Sequence, residues 1–326
     1  MVRSRIIGTG SYVPPKILTN ADLEKMVETS SEWIVSRSGI RERRIVEKNV
    51  ATSDLGTQAG LRALENAGLS PGDLDFIITG TNSPDMLFPA TSCFIQAKIG
   101  AKKAAGFDIS AGCTSFIHAL SMGDKIVKED PKRKVMVLGA EIMSKVADWT
   151  DRGTCVLFGD GAGAVILTGG EGERGVLSTH LHSDGSLWEL LYLPGGGSAN
   201  PSTHETVDKR LHYIKMAGNQ LFKVAVRALA EVSQEALKFN GLTSADIDLM
   251  IPHQANARII EAAAKLVPFP LEKVFMNIEK YGNTSSATIP IAIDEVNRLG
   301  KLQPGNLLLL CSFGTGVTWG GAIIRW

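Results

Sequence analysis

Two stretches of this chain repeat one another from position 68 to position 241, and that repetition restricts the fold more than any other feature. Gly68-Leu-Ser-Pro-Gly-Asp-Leu-Asp-Phe-Ile-Ile runs parallel to Gly241-Leu-Thr-Ser-Ala-Asp-Ile-Asp-Leu-Met-Ile, each after an alanine-rich helical stretch. A second pair follows in the same order: Leu157-Phe-Gly-Asp-Gly-Ala-Gly-Ala-Val-Ile and Ser312-Phe-Gly-Thr-Gly-Val-Thr-Trp-Gly-Gly-Ala-Ile, both glycine turns entering apolar runs. Repeated helix-turn-strand units in fixed order point to a duplicated α/β chain. With 326 residues, 44% of them hydrophobic, there is material for two fused halves that bury roughly 75% of the unfolded surface. We place the division near Gly170, giving halves of residues 1–170 and 171–326.

Short apolar runs suit buried strands at Asp75–Thr79, Lys134–Leu138, Ala162–Leu167, Asp248–Ile251, Leu307–Leu310 and Ala322–Ile324. Helical periodicity is expected over Thr52–Ala67, Ser115–Lys128, Leu221–Phe239, Ala257–Val267 and Ile289–Leu299. Glycines and prolines between Pro194 and Lys209 mark an exposed loop.

Charge excludes some functions. Thirty-four basic and 34 acidic residues cancel, whereas a dedicated nucleic-acid binder carries a basic excess. No apolar run approaches the ~18 residues of a membrane span, and the pair Ile6-Ile7 is too short for a secretory signal. The cysteines at 93, 113, 155 and 311 form no C-x-x-C pair, so neither zinc nor a disulfide framework is expected. A cytoplasmic protein without a metal is the expectation.

Cys113 lies in Phe107-Asp-Ile-Ser-Ala-Gly-Cys-Thr-Ser-Phe, between an apolar stretch and an amphipathic helix. A sulfur at a helix N-terminus has its thiolate favoured and its pKa lowered. The other reading is an inert packing cysteine, which is what we expect of Cys93, Cys155 and Cys311. His253, in Ile251-Pro-His-Gln-Ala-Asn, follows an apolar run. It therefore sits at a strand's carboxyl end, where reacting groups of α/β sheets collect. Asn283, in Tyr281-Gly-Asn-Thr-Ser-Ser-Ala-Thr, fits an ordinary turn or helix cap taken alone. Together the three form a set at helix entrances in a duplicated chain.

Gly159-Asp-Gly-Ala-Gly precedes a strand-like run rather than a helix, which excludes a dinucleotide fingerprint. The glycines of Phe313-Gly-Thr-Gly-Val allow a backbone amide to face a developing oxyanion, or simply allow tight strand packing. Trp33, Arg37 and Arg152 offer a ring and cations suited to a nucleotide bearing phosphates. The run Arg41-Glu-Arg-Arg reads as solvated surface.

With these motifs, and with Ser31-Glu-Trp-Ile-Val-Ser-Arg-Ser-Gly-Ile-Arg-Glu-Arg, Thr150-Asp-Arg-Gly-Thr and Met216-Ala-Gly-Asn, nearly the whole chain resembles the β-ketoacyl-acyl-carrier-protein synthase III family. The resemblance implies a thiolase-like, duplicated five-layer αβαβα fold and a homodimer. It implies condensation of an acyl-CoA starter with malonyl-acyl-carrier-protein and no cofactor. It makes Cys113 the nucleophile, His253 and Asn283 its partners, and the amides of Cys113 and Thr315 the oxyanion hole. Trp33, Arg37 and Arg152 match positions holding coenzyme A, and Asn219 and Asn256 positions lining the pantetheine tunnel. Lys223 and Arg258 match basic positions for carrier-protein docking, and Phe88 a residue reaching the partner subunit's acyl pocket. Many family members have glycine where Thr315 stands. A two-cysteine thiolase, a cysteine hydrolase and a non-catalytic acyl-CoA or carrier-protein binding module are the alternatives.

Overall fold

The computed structural model describes residues 2–326. Strands β1 (Val2–Tyr12), β2 (Phe76–Gly80), β3 (Ala105–Ile109), β4 (Val135–Ile142) and β5 (Asp160–Glu171) form one sheet in the order β1-β5-β4-β2-β3. Strands β6 (Gly175–Ser183), β7 (Leu249–Pro252), β8 (Leu307–Gly314) and β9 (Thr318–Arg325) form a second in the order β7-β8-β9-β6. The two share one plan. In the first, β2 runs parallel to β4, β5 returns antiparallel and β1 flanks it. In the second, β7 is parallel to β8, β9 returns antiparallel and β6 flanks it. The counterpart of β3 is reduced to a single parallel bridge between Met250 and Val274.

The repeat persists at the level of hydrogen bonds. Gly68 and Gly241 both take φ +66°, a left-handed conformation that glycine adopts without a Cβ penalty. Ser70 with Asp73, and Thr243 with Asp246, form matching capping boxes. Asp75 Oδ2 accepts from the Lys134 amide at 2.8 Å, and Asp248 Oδ2 from the Leu307 amide at 2.7 Å. Each aspartate thus ties the start of its own strand to the neighbouring one.

Seven helices complete the framework: α1 (Ser31–Ser38), α2 (Thr52–Ala67), α3 (Thr91–Ile99), α4 (Ser115–Glu129), α5 (Gly218–Phe239), α6 (Ala257–Leu266) and α7 (Thr288–Arg298). Along β4, Val135 and Val137 turn to one face while Met136 and Leu138 turn to the other. Along β8, Leu308 and Leu310 oppose Leu307 and Leu309 in the same way. Both faces of both sheets are therefore covered, which is why these strands read as unbroken apolar runs. Helices α4 and α7 fill the middle layer between the sheets, through Phe116, Ile117, Ile289 and Ile293. Helices α2 and α3 cover the first sheet from outside, and α5 and α6 the second. The result is five layers, αβαβα.

The six expected strands and five expected helices all form, most with ends shifted by a few residues. Residues 194–209 are loop apart from the one-turn helix His204–Asp208. Strand β1 carries little apolar signal because α2 lies directly against it. A Cβ on Gly8 would stand 2.4 Å from the Ala63 carbonyl oxygen, and one on Gly10 2.3 Å from that of Ala59.

Two expectations fail. Arg43, read as solvated surface, is fully buried, donating to the carbonyls of Leu18 and Val156 and to Asn20 Oδ1. Burial brings its guanidinium down to about 10. Cys93, expected in the interior, is exposed, because it falls on the outer side of α3. Among the described residues no helix is long and apolar enough to cross a membrane.

Candidate active site

The carboxyl ends of β3, β7 and β8 and the entrance to α7 converge beneath a cavity of about 550 Å³. Cys113, His253, Asn283, Phe313 and Gly314 line it at depth, and Trp33, Arg37, Asn219, Lys223, Asn256 and Arg258 line its exposed side. Residues from positions 33 to 314 thus meet in one depression. A second cavity of about 90 Å³ shares Cys113, Phe158 and Leu191 with the first and is otherwise bounded by groups such as Met143, Ile214 and Thr315. The sulfur stands between the larger cavity and a small, mostly apolar recess.

Each buried group is fixed by its own local bonding. The His253 amide donates to the Cys311 carbonyl at 2.8 Å, carrying the strand's register one residue past β7. Its Nδ1 lies 2.7 Å from Thr288 Oγ1 at the start of α7. Asn283 is held in a bridge with Phe158: its amide donates to the Leu157 carbonyl at 2.8 Å and its carbonyl accepts from the Gly159 amide at 3.1 Å. Its side-chain Oδ1 accepts from the Ser285 amide at 2.8 Å, which leaves the Nδ2 donor for the cavity.

Backbones approach closely around the sulfur. A Cβ on Gly314 would lie 2.3 Å from the Cys113 amide nitrogen, and one on Gly112 2.5 Å from that of Thr315. The two amides therefore belong to loops in mutual contact. The Thr315 side chain is directed elsewhere, its hydroxyl donating to the Leu191 carbonyl.

The lowered thiol pKa expected of Cys113 is not found. Burial pushes the thiol up to about 12, assisted by the nearby charge of Glu141 and opposed by a hydrogen bond from Ser285. The helix proper begins at Ser115 with Thr114 as its cap, so the sulfur lies just ahead of the first turn and desolvation outweighs the dipole. His253 is brought down to about 3 by burial, so its imidazole is neutral at physiological pH.

The remaining residues fall in three places. Trp33 stacks with two cations, the Arg37 guanidinium 6.0 Å and that of Arg152 5.3 Å from its ring centre. Arg152 stands outside the cavity wall and donates to the Glu28 carbonyl at 2.9 Å. Asn256 caps α6 through the Arg258 amide and donates to the Arg37 carbonyl, while Arg258 lies 5.6 Å over the Phe222 ring. Phe88 is 82% exposed, away from both cavities of its own chain. Cys311 faces the outer core beside Ser233, so it does not join Cys113 as a two-cysteine pair.

Sequence reasoning missed the group underneath. Glu141, at the end of β4, is fully buried and accepts from the amide and Nδ2 of Asn82, the amide and hydroxyl of Ser83, and the hydroxyl of Ser286. A glutamate closing the apolar run Val-Met-Val-Leu-Gly-Ala is the signal that could have found it.

Family models for 3-oxoacyl-[acyl-carrier-protein] synthase III match residues 107–185, and for its C-terminal part residues 237–326. A β-ketoacyl-[acyl-carrier-protein] synthase III of Caldanaerobacter subterraneus is 52% identical over all of this chain and 98% of its own. The crystal structure of the Aquifex aeolicus 3-oxoacyl-[acyl-carrier-protein] synthase III superposes with a TM-score of 0.92 at 47% identity, covering 99% of this chain and all of that one. A Thermus thermophilus synthase III structure gives 0.91 at 40% identity, covering 99% of each chain.

Proposed function

As this chain belongs to the β-ketoacyl-[acyl-carrier-protein] synthase III family, we propose that Cys113, His253 and Asn283 carry out its reaction within the paired cavities. The protein is an acyltransferase. It condenses an acyl-CoA with malonyl-acyl-carrier-protein, with loss of carbon dioxide, to give a 3-oxoacyl-acyl-carrier-protein at the start of fatty acid synthesis. The observation that carries our assignment of residues is the position of Cys113 between a cavity of about 550 Å³, which reaches out to Trp33 and Arg37, and a recess of about 90 Å³. The recess is small and mostly apolar, which suits a short acyl chain on the sulfur. We infer short starters, acetyl-CoA foremost.

In the first half-reaction the Cys113 sulfur attacks the thioester carbonyl while the amides of Cys113 and Thr315 receive the developing oxyanion. The carbon–sulfur bond to coenzyme A then breaks. Coenzyme A leaves with the proton the thiol gave up, and the acyl group stays on Cys113. Trp33, Arg37 and Arg152 hold the nucleotide end, and Asn219 and Asn256 flank the pantetheine.

In the second half-reaction the carrier protein docks through Lys223 and Arg258, and carbon dioxide leaves the malonyl group. His253 and Asn283 donate hydrogen bonds to the enolate oxygen. An amide donates without titrating, and a neutral imidazole donates from Nε2 when its Nδ1 is the acceptor. The Thr288 hydroxyl gives its proton to Nδ1, 2.7 Å away, in preference to the Ser285 carbonyl that the same hydroxyl reaches at 3.1 Å. The enolate carbon attacks the acyl carbon, the acyl carbon–sulfur bond breaks, and the departing Cys113 thiolate takes a proton from solvent. Each step balances without a metal or redox cofactor.

The first half of the chain, to residue 170, contributes the nucleophile and the second its two partners. We infer a homodimer from the open edge of β3 and from Met86, Leu87 and Phe88, all exposed on the loop that precedes α3. A cytoplasmic site of action fits substrates of this kind.

Cys113→Ala is expected to abolish acylation by acetyl-CoA, read by intact-protein mass, and to retain carbon dioxide release from malonyl carrier protein. Asn283→Ala should do the reverse. An acylated alanine variant would overturn the assignment.

A further inference from the structure

Ser285 is buried at 1% exposure with φ +52°, a left-handed conformation that is strained for a residue carrying a Cβ. Glycine would occupy the position without that strain, so the serine side chain needs a reason to be there. Its surroundings supply one. Ser285 Oγ lies 3.4 Å from Cys113 Sγ. The hydroxyl is oriented from behind, because Asn82 Nδ2 reaches it at 3.2 Å and also reaches Glu141 Oε1 and the Gly112 carbonyl, each at 2.9 Å. Asn82 Nδ2 shares two N–H groups among these three acceptors, with Ser285 Oγ the most distant, while the serine's own proton is directed at sulfur.

We propose that Ser285 is a further catalytic residue, the hydroxyl that donates to the Cys113 thiolate as it forms, with Asn82 as the residue that orients it. The hydroxyl offsets part of the cost that burial and the Glu141 carboxylate impose on a negative sulfur. The same bond lengthens once the sulfur is acylated and loses its charge, so it favours the free thiolate during attack and again when the thiolate departs after condensation. The inference rests on Cys113 being the nucleophile and adds what makes that nucleophile available.

Ser285→Gly tests it, since glycine removes the hydroxyl and relieves the backbone strain together. The variant is expected to unfold in urea at a midpoint equal to or above that of the parent. Its alkylation by iodoacetamide, followed on the Cys113 peptide at fixed pH from 7 to 9, is expected to slow. A lost hydrogen bond to a charged group raises the thiol by about one to two pH units. The greater nucleophilicity of the more basic sulfur returns part of this, leaving alkylation ~3- to 10-fold slower. Asn82→Ala should slow alkylation in the same direction by less. If alkylation of Ser285→Gly follows the parent at every pH, the hydroxyl does not act on the thiolate and the proposal fails. Alkylation needs no acyl-CoA, so that result is distinct from a parent enzyme that acetyl-CoA leaves unacylated, which would instead remove the role given to Cys113.

Discussion

Single residues here hold protonation states that water would not allow. Burial keeps His253 neutral down to about pH 3, whereas in the unfolded chain it takes up a proton near 6.5. Between those values the unfolded state binds a proton that the folded state refuses, so stability falls as pH drops from 6.5 toward 3. The slope is ~1.4 kcal/mol per pH unit. Urea unfolding at pH 7, 6 and 5 should show that component in the parent and lack it in His253→Gln; equal slopes in the two would count against it. Carbon dioxide release should correspondingly show no inflection near pH 6.5 due to this group. The failed expectation for Cys113 has the same origin. A helix entrance was legible in Ser-Ala-Gly-Cys-Thr-Ser, but the depth at which the sulfur lies was not, and depth determines its acidity.

At the scale of elements, the glycine turn that closes β8 shapes the site as much as any side chain. Gly314→Ala would force a Cβ to 2.3 Å from the Cys113 amide nitrogen. Displacing that amide should cost the acylation step ~10²- to 10³-fold, measured as the rate of acetyl transfer from acetyl-CoA, with circular dichroism like that of the parent. A loss below about tenfold would show that the amides are not placed by this contact. Elements buried on both faces, such as Lys134–Leu138 and Leu307–Leu310, were readable because their apolar runs are unbroken. Strand β1 was not, since Gly8 and Gly10 give up side chains so that α2 can approach. Cys113, His253 and Asn283 were legible as residues at helix entrances. Glu141, Asn82 and Ser285 were not, because what joins them is hydrogen bonding between segments about 60 and 200 residues apart.

For the molecule as a whole, Cys113 comes from the first sheet's side of the duplication and His253 and Asn283 from later segments, and the middle layer holds them around one cavity. Gly139 of β4 lies against the Ser286 carbonyl, where a Cβ would come within 2.2 Å, so neither half completes the site without the other. Leu87 is 76% exposed beside Phe88. On the proposed homodimer, the parent is expected to sediment as a dimer at micromolar concentration and Leu87→Glu as a monomer; equal coefficients for the two would place the interface elsewhere or remove it. The unpaired border of β3 bears on how the chain matures. A newly made copy presents a row of vacant amides and carbonyls that any extended peptide could zip onto. Renaturation yield should therefore pass through a maximum as protein concentration rises, limited by slow encounter of proper mates at one extreme and by tangling of half-finished chains at the other.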